Sequence, residues 1–180
     1  MKVGIARETA PGETRVAVIP ALVPLLTKAG LEVLVEEGAG AAAGFTDDAY
    51  RAQGASLTSR AEVFRNADVL LQVRSTHREH GEHGDPMRSG QTVIGFADPL
   101  GDPEGVARLA SSGATFFSME LMPRITRAQS MDALSSMATI AGYKGVLLAA
   151  SALPRMFPML MTAAGTISPA RVFIMGVGVA

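Results

Sequence analysis

Two guanidiniums, a carboxamide, hydroxyls and a carboxylate fall within one ten-residue segment, Pro123-Arg124-Ile125-Thr126-Arg127-Ala128-Gln129-Ser130-Met131-Asp132. An apolar, small-residue stretch follows at once, Ala133-Leu134-Ser135-Ser136-Met137-Ala138-Thr139-Ile140-Ala141-Gly142-Tyr143, with the character of a helix. That much hydrogen-bonding capacity just ahead of a helix N-terminus marks a ligand loop more than a connector. The guanidiniums and the carboxamide suit an amide or an anionic group, and Asp132 suits the positive end of the helix dipole.

A second chemical signal lies at the other end of the same region. Arg171-Val172-Phe173-Ile174-Met175 is apolar and β-branched, so it is expected to form a buried strand. It leads into Gly176-Val177-Gly178-Val179-Ala180, the opening of a G-x-G-x-x-G dinucleotide fingerprint. Gly176, Val177, Gly178 and Val179 are therefore candidate cofactor contacts. The third glycine, its helix and the ribose-reading acid would lie beyond Ala180, so the chain is expected to be an N-terminal fragment that binds NAD weakly by itself.

The wording PRITRAQSMDALSSMATIAGYKG closely resembles the nicotinamide-side loop of proton-translocating NAD(P) transhydrogenase, in its peripheral NAD(H)-binding domain, and the resemblance extends over essentially the whole chain. It implies that Arg124, Gln129 and Asp132 surround the nicotinamide and carry the catalytic positioning, with Arg127, Ser130 and Ser135 as further cofactor contacts. It implies NAD(H) on this domain and NADP(H) on a separate one. Hydride would pass from NADH to NADP⁺, coupled to proton movement across a membrane. The expected partners are the NADP(H)-binding domain, a membrane domain and a second copy in a homodimer. The expected location is the cytoplasmic, peripheral face of a membrane-bound complex, the bacterial inner membrane in that family.

Alanine dehydrogenase is a related family. Arg7-Glu8 and Glu13-Thr14-Arg15-Val16 resemble the N-terminus shared by both, and in the dehydrogenase the arginine matching Arg15 holds the substrate carboxylate. A structural ion pair anchoring the loop is the expectation here. Imine chemistry needs a general acid/base and a substrate cation. Where that family has a lysine and a histidine, this chain reads Val73-Arg74-Ser75-Thr76 and Thr92-Val93-Ile94-Gly95-Phe96-Ala97-Asp98-Pro99. Transfer of hydride between two nicotinamides moves no proton at the reacting carbons, so positioning residues suffice. Arg74 stands where transhydrogenases commonly carry lysine. The alternatives are an amino-acid dehydrogenase of the alanine dehydrogenase type and a non-catalytic binding fragment.

Other clusters read as structural. Gly38-Ala39-Gly40-Ala41-Ala42-Ala43-Gly44 has one residue too many for a dinucleotide loop, and Glu36 and Glu37 before it repel a pyrophosphate, so a tight turn is expected. His77, His80 and His83, interleaved with Glu79, Glu82 and Asp85, fall in a glycine-containing polar loop, and no native metal site is expected there.

The elements that must position these groups follow from periodicity and caps. Strands are expected at Lys2–Ala6, Leu31–Glu36, Asp68–Val73, Thr92–Phe96 and Ala114–Met119. Helices are expected at Ile19–Ala29, from Thr46 to about Gln53, from Ser59 to Ala67 and at Pro103–Ser112. This alternation predicts an α/β fold: a parallel-sheet, Rossmann-like subdomain over residues 1–130. A long connecting helix from about Met131 to Ala152 and a linker complete 131–169, with residues 163–170 leading into the strand. Residues 170–180 would begin a second, truncated Rossmann subdomain. On the long helix, Ala138, Gly142, Gly145 and Ala149 form a small-residue stripe that lets another backbone approach, and Asp132, Ser136, Thr139 and Tyr143 form a polar one.

Composition bounds the function. With 48% hydrophobic residues in 180, a substantial core is expected. A formal net charge of -1 with no basic block argues against nucleic acid. With no cysteine, disulfides and thiolate metal sites are excluded. The most apolar long window, Gly145 to Gly165, is interrupted by Pro154, Arg155 and Pro158, which makes it a poor membrane span.

Overall fold

The computed structural model describes residues 1–76 and 87–180. The His77, His80 and His83 loop, with Glu79, Glu82 and Asp85, lies outside the described residues. The chain divides into two units, Met1–Met122 and Pro123–Ala180.

The first unit alternates strand and helix in the expected order: β1 Lys2–Ile5, α1 Val23–Lys28, β2 Glu32–Glu36, α2 Asp47–Ala52, β3 Ser56–Thr58, α3 Arg60–Asn66, β4 Val69–Arg74, β5 Thr92–Phe96, α4 Pro103–Ser111 and β6 Thr115–Ser118. The strands form one six-stranded sheet in the order β3-β2-β1-β4-β5-β6. Every pairing in it is parallel. This is the doubly wound order, in which the chain reverses its direction of travel between β1 and β4.

Local chemistry explains the boundaries. The Thr46 hydroxyl accepts the Ala49 N–H and starts α2, the Ser59 hydroxyl accepts the Glu62 N–H and starts α3, and Asp102 does the same for Gly105 and α4. Each side-chain oxygen satisfies a backbone donor that the first helical turn leaves unpaired. A 3-10 turn at Pro20–Leu22 takes the first part of the expected Ile19–Ala29 helix, because Pro20 and Pro24 lack the N–H groups a continuous α-helix needs. The Gly38–Gly44 run is a turn: Gly38 and Gly44 both have positive φ, and residues 41–43 make a 3-10 turn.

Two apolar clusters pack the faces of the sheet. Ile5, Val33 and Val35 meet Val23 of α1 and Tyr50 of α2 on one side. Ala6, Leu70 and Val93 meet Val63 and Phe64 of α3 on the other. Gly4 allows α3 to lie close to β1, since a Cβ there would fall 2.6 Å from the Ala67 Cβ and 2.9 Å from Val63. The Tyr50 hydroxyl donates to the Val18 carbonyl at 2.8 Å. Its burial pushes the phenol up to about 12.

The second unit holds a 3-10 turn at Thr126–Met131, α5 at Ala133–Ala152, and an antiparallel pair, β7 Leu160–Thr162 with β8 Gly165–Ile167. Two expectations are corrected here. Residues 163–170 are not a plain linker, because Gly165, with φ +127, and its neighbours return the chain in a hairpin. Arg171–Met175 is not a strand. Its β-branched residues have no ladder partner among the described residues, and a parallel strand exists only by pairing with neighbours. By length and a mean hydropathy of 1.3, α5 also meets the composition of a membrane span. No residue of it is buried. Lys144 and the Ser135, Ser136 and Thr139 hydroxyls on it suit a helix packed against protein.

Candidate functional site

The polar loop singled out in the sequence is the entrance to α5. Ile125 is extended, the 3-10 turn Thr126–Met131 follows, and Asp132 is the N-cap of the helix. The Asp132 Oδ1 accepts the Ser135 N–H at 2.9 Å. Its Oδ2 accepts the Ser135 hydroxyl at 2.7 Å. The Ser136 hydroxyl donates to the Asp132 carbonyl at 3.2 Å. The Ser135 hydroxyl and N–H hold the Asp132 carboxyl below its ordinary value, and the Arg124 charge adds to this at longer range.

The structure therefore joins Asp132 to Ser135. Among the described residues no ion pair links Arg124 to Asp132. Arg124, Arg127, Gln129 and Ser130 are exposed, and their side chains make no hydrogen bond to other described residues. Ala128, between them, is buried and fixes the turn. The loop thus presents two guanidiniums, a carboxamide and a hydroxyl from a short, tightly wound segment, above a carboxylate that is kept ionised and oriented. This donor and acceptor set fits a nicotinamide carboxamide together with the anionic groups of a dinucleotide.

The glycine turn belongs to the same unit. Gly176 has φ +84, in the left-handed region. The Thr139 hydroxyl lies 3.2 Å from the Val179 carbonyl oxygen. It also lies 3.2 Å from the Ser135 carbonyl oxygen one turn back along α5. A Cβ on Gly142 would fall 2.4 Å from the Ala180 carbonyl carbon. The small-residue stripe receives a backbone at Gly142, whereas nothing comes within 4 Å of a Cβ on Gly145.

In the first unit, polar side chains gather at the C-terminal ends of β1, β2 and β4, where doubly wound sheets place their crevice. Arg15 and Glu13 form a bidentate pair, with Nε to Oε1 at 2.7 Å and Nη2 to Oε2 at 2.6 Å. The Glu8 carboxylate accepts the Val73 N–H at 2.6 Å and the Arg74 N–H at 3.0 Å, bridging β1 to β4. Burial pushes the Glu8 carboxyl up, against the pull of those two donors. Glu36, at the end of β2 and 6% exposed, accepts the Arg7 N–H at 2.8 Å and an Arg60 guanidinium N–H at 2.9 Å.

Ser75 Oγ and Gln72 Oε1, both buried, have no hydrogen-bond partner among the described residues. Sequence reasoning misses the partners of Glu8 and Glu36. They are 24 to 66 residues away in the chain, and only the strand order brings them together. Among the described residues, no group of three metal-ligating side chains is arranged to hold an ion.

Residues 4–141 match the family described as alanine dehydrogenase/PNT, N-terminal domain. Residues 145–180 match alanine dehydrogenase/PNT, C-terminal domain. The first portion of the NAD(P) transhydrogenase alpha subunit of Rhodospirillum rubrum, a separate chain there, is 45% identical over 183 residues, covering 100% of this chain and 48% of the relative. Alanine dehydrogenase of Mycobacterium tuberculosis is 34% identical over 185 residues, with 100% and 48% covered. The crystal structure of transhydrogenase from Sinorhizobium meliloti superimposes with a TM-score of 0.90 at 46% identity, covering 99% of this chain and 51% of that one. A structure of L-alanine dehydrogenase gives 0.75 at 26% identity, covering 84% and 40%. The chain spans about half the length of these relatives.

Proposed function

This chain belongs to the alanine dehydrogenase/PNT family, and from that membership we propose that it is the N-terminal part of the NAD(H)-binding component of a proton-translocating NAD(P) transhydrogenase. The observation that carries the proposal is the loop from Arg124 to Ser135, with four polar side chains free of internal partners above a capped, ionised Asp132. The higher identity to transhydrogenase subunits than to alanine dehydrogenase supports the same choice.

In this reading NAD(H), when bound, supplies the hydride, and the chain supplies position and field. Arg124 donates to the carboxamide oxygen of the nicotinamide. Asp132, fixed by Ser135, stabilises the positive ring left when the hydride departs. Ser135 limits rotation of the ring, and Gln129 reaches toward the second nucleotide. Arg127 and Ser130 close the loop over the coenzyme. Gly176, Val177, Gly178 and Val179 bring backbone close to the pyrophosphate, where a side chain at Gly176 would be strained. None of these groups has to exchange a proton with a reacting atom, in keeping with a step that moves only a hydride.

NADP(H) would occupy a separate domain, with a membrane domain and a second copy of this component completing the assembly at the cytoplasmic face of a membrane. The test is hydride transfer from NADH to an NADP⁺ analogue by the full-length protein with its NADP(H)-binding partner. Gln129→Ala and Arg124→Ala are each expected to slow it at least about tenfold, as loss of one positioning contact does. Unchanged transfer in both would leave a docking module. NADH oxidation by pyruvate plus ammonium would identify an amino-acid dehydrogenase.

A further inference from the structure

Glycine is among the least favourable residues in a helix interior, so each of the two within α5 asks for a reason. At Gly145 no atom lies within 4 Å of a Cβ. At Gly142 the Ala180 carbonyl carbon and Cα would stand 2.4 Å and 3.1 Å from it. Thr139, three residues earlier and on the same helix face, offers its hydroxyl to the Val179 carbonyl at 3.2 Å. One hydroxyl proton serves either Val179 or Ser135, so the helix keeps a partner for Thr139 whether or not the turn is seated.

We propose that Thr139 and Gly142 are positioning residues that seat the Gly176–Ala180 turn on α5, so that one rigid helix fixes the distance between the pyrophosphate turn and the nicotinamide loop. The inference rests on the function proposed above. Asp132, at the helix start, and Gly142 are separated by about 15 Å along the axis, at roughly 1.5 Å per residue. A dinucleotide gripped at both places inherits its alignment from this rise and not from two independent loops. Neither residue touches the reacting atoms; both act through the backbone they hold.

A methyl group at residue 142 must push the Ala180 carbonyl away by about 1 Å to reach an ordinary 3.4 Å contact. A misplacement of about 1 Å is enough to cost on the order of 100-fold in a reaction that depends on alignment.

The experiment uses the full-length protein assembled with its NADP(H)-binding partner, with NADH and an NADP⁺ analogue as probes. At saturating nucleotide, Gly142→Ala is expected to slow hydride transfer at least about tenfold and to lower the melting temperature. Gly145→Ala is expected to raise the melting temperature and leave transfer unchanged. Thr139→Val is expected to slow transfer, and Thr139→Ser, which keeps the hydroxyl, to restore it. If Gly142→Ala matches Gly145→Ala in rate and melting temperature, or if Thr139→Val transfers as fast as Thr139→Ser, the proposal is overturned. Absence of saturable NADH binding in the unaltered protein would instead overturn the proposed function. The seat is then judged by melting temperature alone: opposite shifts in the two glycine variants support it, and equal shifts overturn it.

Discussion

The Asp132 carboxylate closes a ring with Ser135, one oxygen taking the backbone N–H at 2.9 Å and the other the hydroxyl at 2.7 Å. The same carboxylate therefore has two tasks, starting α5 and facing the proposed nicotinamide pocket. These tasks separate by substitution. Asp132→Ala removes the cap and is expected to lower the urea midpoint, whereas Asp132→Asn retains a capping oxygen and keeps most of it. If the negative charge serves the coenzyme, Asp132→Asn slows hydride transfer at least about tenfold while its urea midpoint stays near that of the unaltered protein. An alanine variant as stable as the parent would show that the ring contributes nothing to the helix.

Glu8 and Glu13 titrate in opposite senses. The Arg15 side chain holds the Glu13 carboxyl below its ordinary value, so its contribution is present above the ordinary carboxylate range near pH 4.3 and is lost as pH falls through its own lower value. Burial raises Glu8, so the folded protein binds its proton more tightly than the unfolded chain does. Stability from that group is full below the ordinary range and declines as pH rises through the raised value. Glu8→Gln removes the decline. A series of urea midpoints from about pH 4 to 6 should then climb more steeply in Glu8→Gln than in the parent. A shallower climb would refute the assignment.

Gly4 is where α3 meets β1 most closely. A methyl group there would sit 2.6 Å from the Ala67 Cβ, in a part of the core closed by Val63, Phe64 and Leu70. Gly4→Ala is expected to destabilise the first unit by about 1–3 kcal/mol through overpacking, read from the denaturant midpoint. Gains in stability would mean that α3 relaxes outward without cost.

Gln91 and Ser75 are both buried polar residues with opposite bonding. The Gln91 side-chain amide donates to the Phe64 carbonyl at 3.0 Å and the Ala67 carbonyl at 2.8 Å, and its oxygen accepts the Arg88 N–H at 3.2 Å. Gln91→Leu leaves those groups without this partner and is expected to cost about 1–3 kcal/mol. Ser75 Oγ has no partner among the described residues, so Ser75→Ala is expected to change stability by no more than about 0.5 kcal/mol. Equal losses in the two variants would reveal an acceptor for the Ser75 hydroxyl.

Much of this fold is legible in the sequence because its signals are local. Thr46, Ser59 and Pro103 mark helix starts by chemistry that acts within one turn, and strands buried on both faces show as apolar runs such as Val33-Leu34-Val35. Ser56-Leu57-Thr58 escapes sequence reading as a strand, since three residues between a glycine stop and a serine cap carry almost no periodicity. Arg171–Met175 misleads in the opposite direction: β-branched composition states a preference, and pairing decides. The loop at 124–135 stands out by its residue types, yet its internal bonding does not. Residue chemistry alone pairs Arg124 with Asp132, while geometry gives Asp132 to Ser135, three residues ahead and already inside the helix. The small-residue stripe announces a close approach without naming which glycine receives it.

In sheets of this strand order, an acid near the end of β2 commonly reads the hydroxyls of a ribose. Glu36 stands there, but Arg60 and the Arg7 amide already claim its oxygens. An adenosine arriving at that edge would have to evict a guanidinium before it could be recognised. One buried ion pair is thus enough to turn a coenzyme-reading architecture into a frame for the coenzyme chemistry of its neighbouring unit, and variation at Arg60 is the shortest route back.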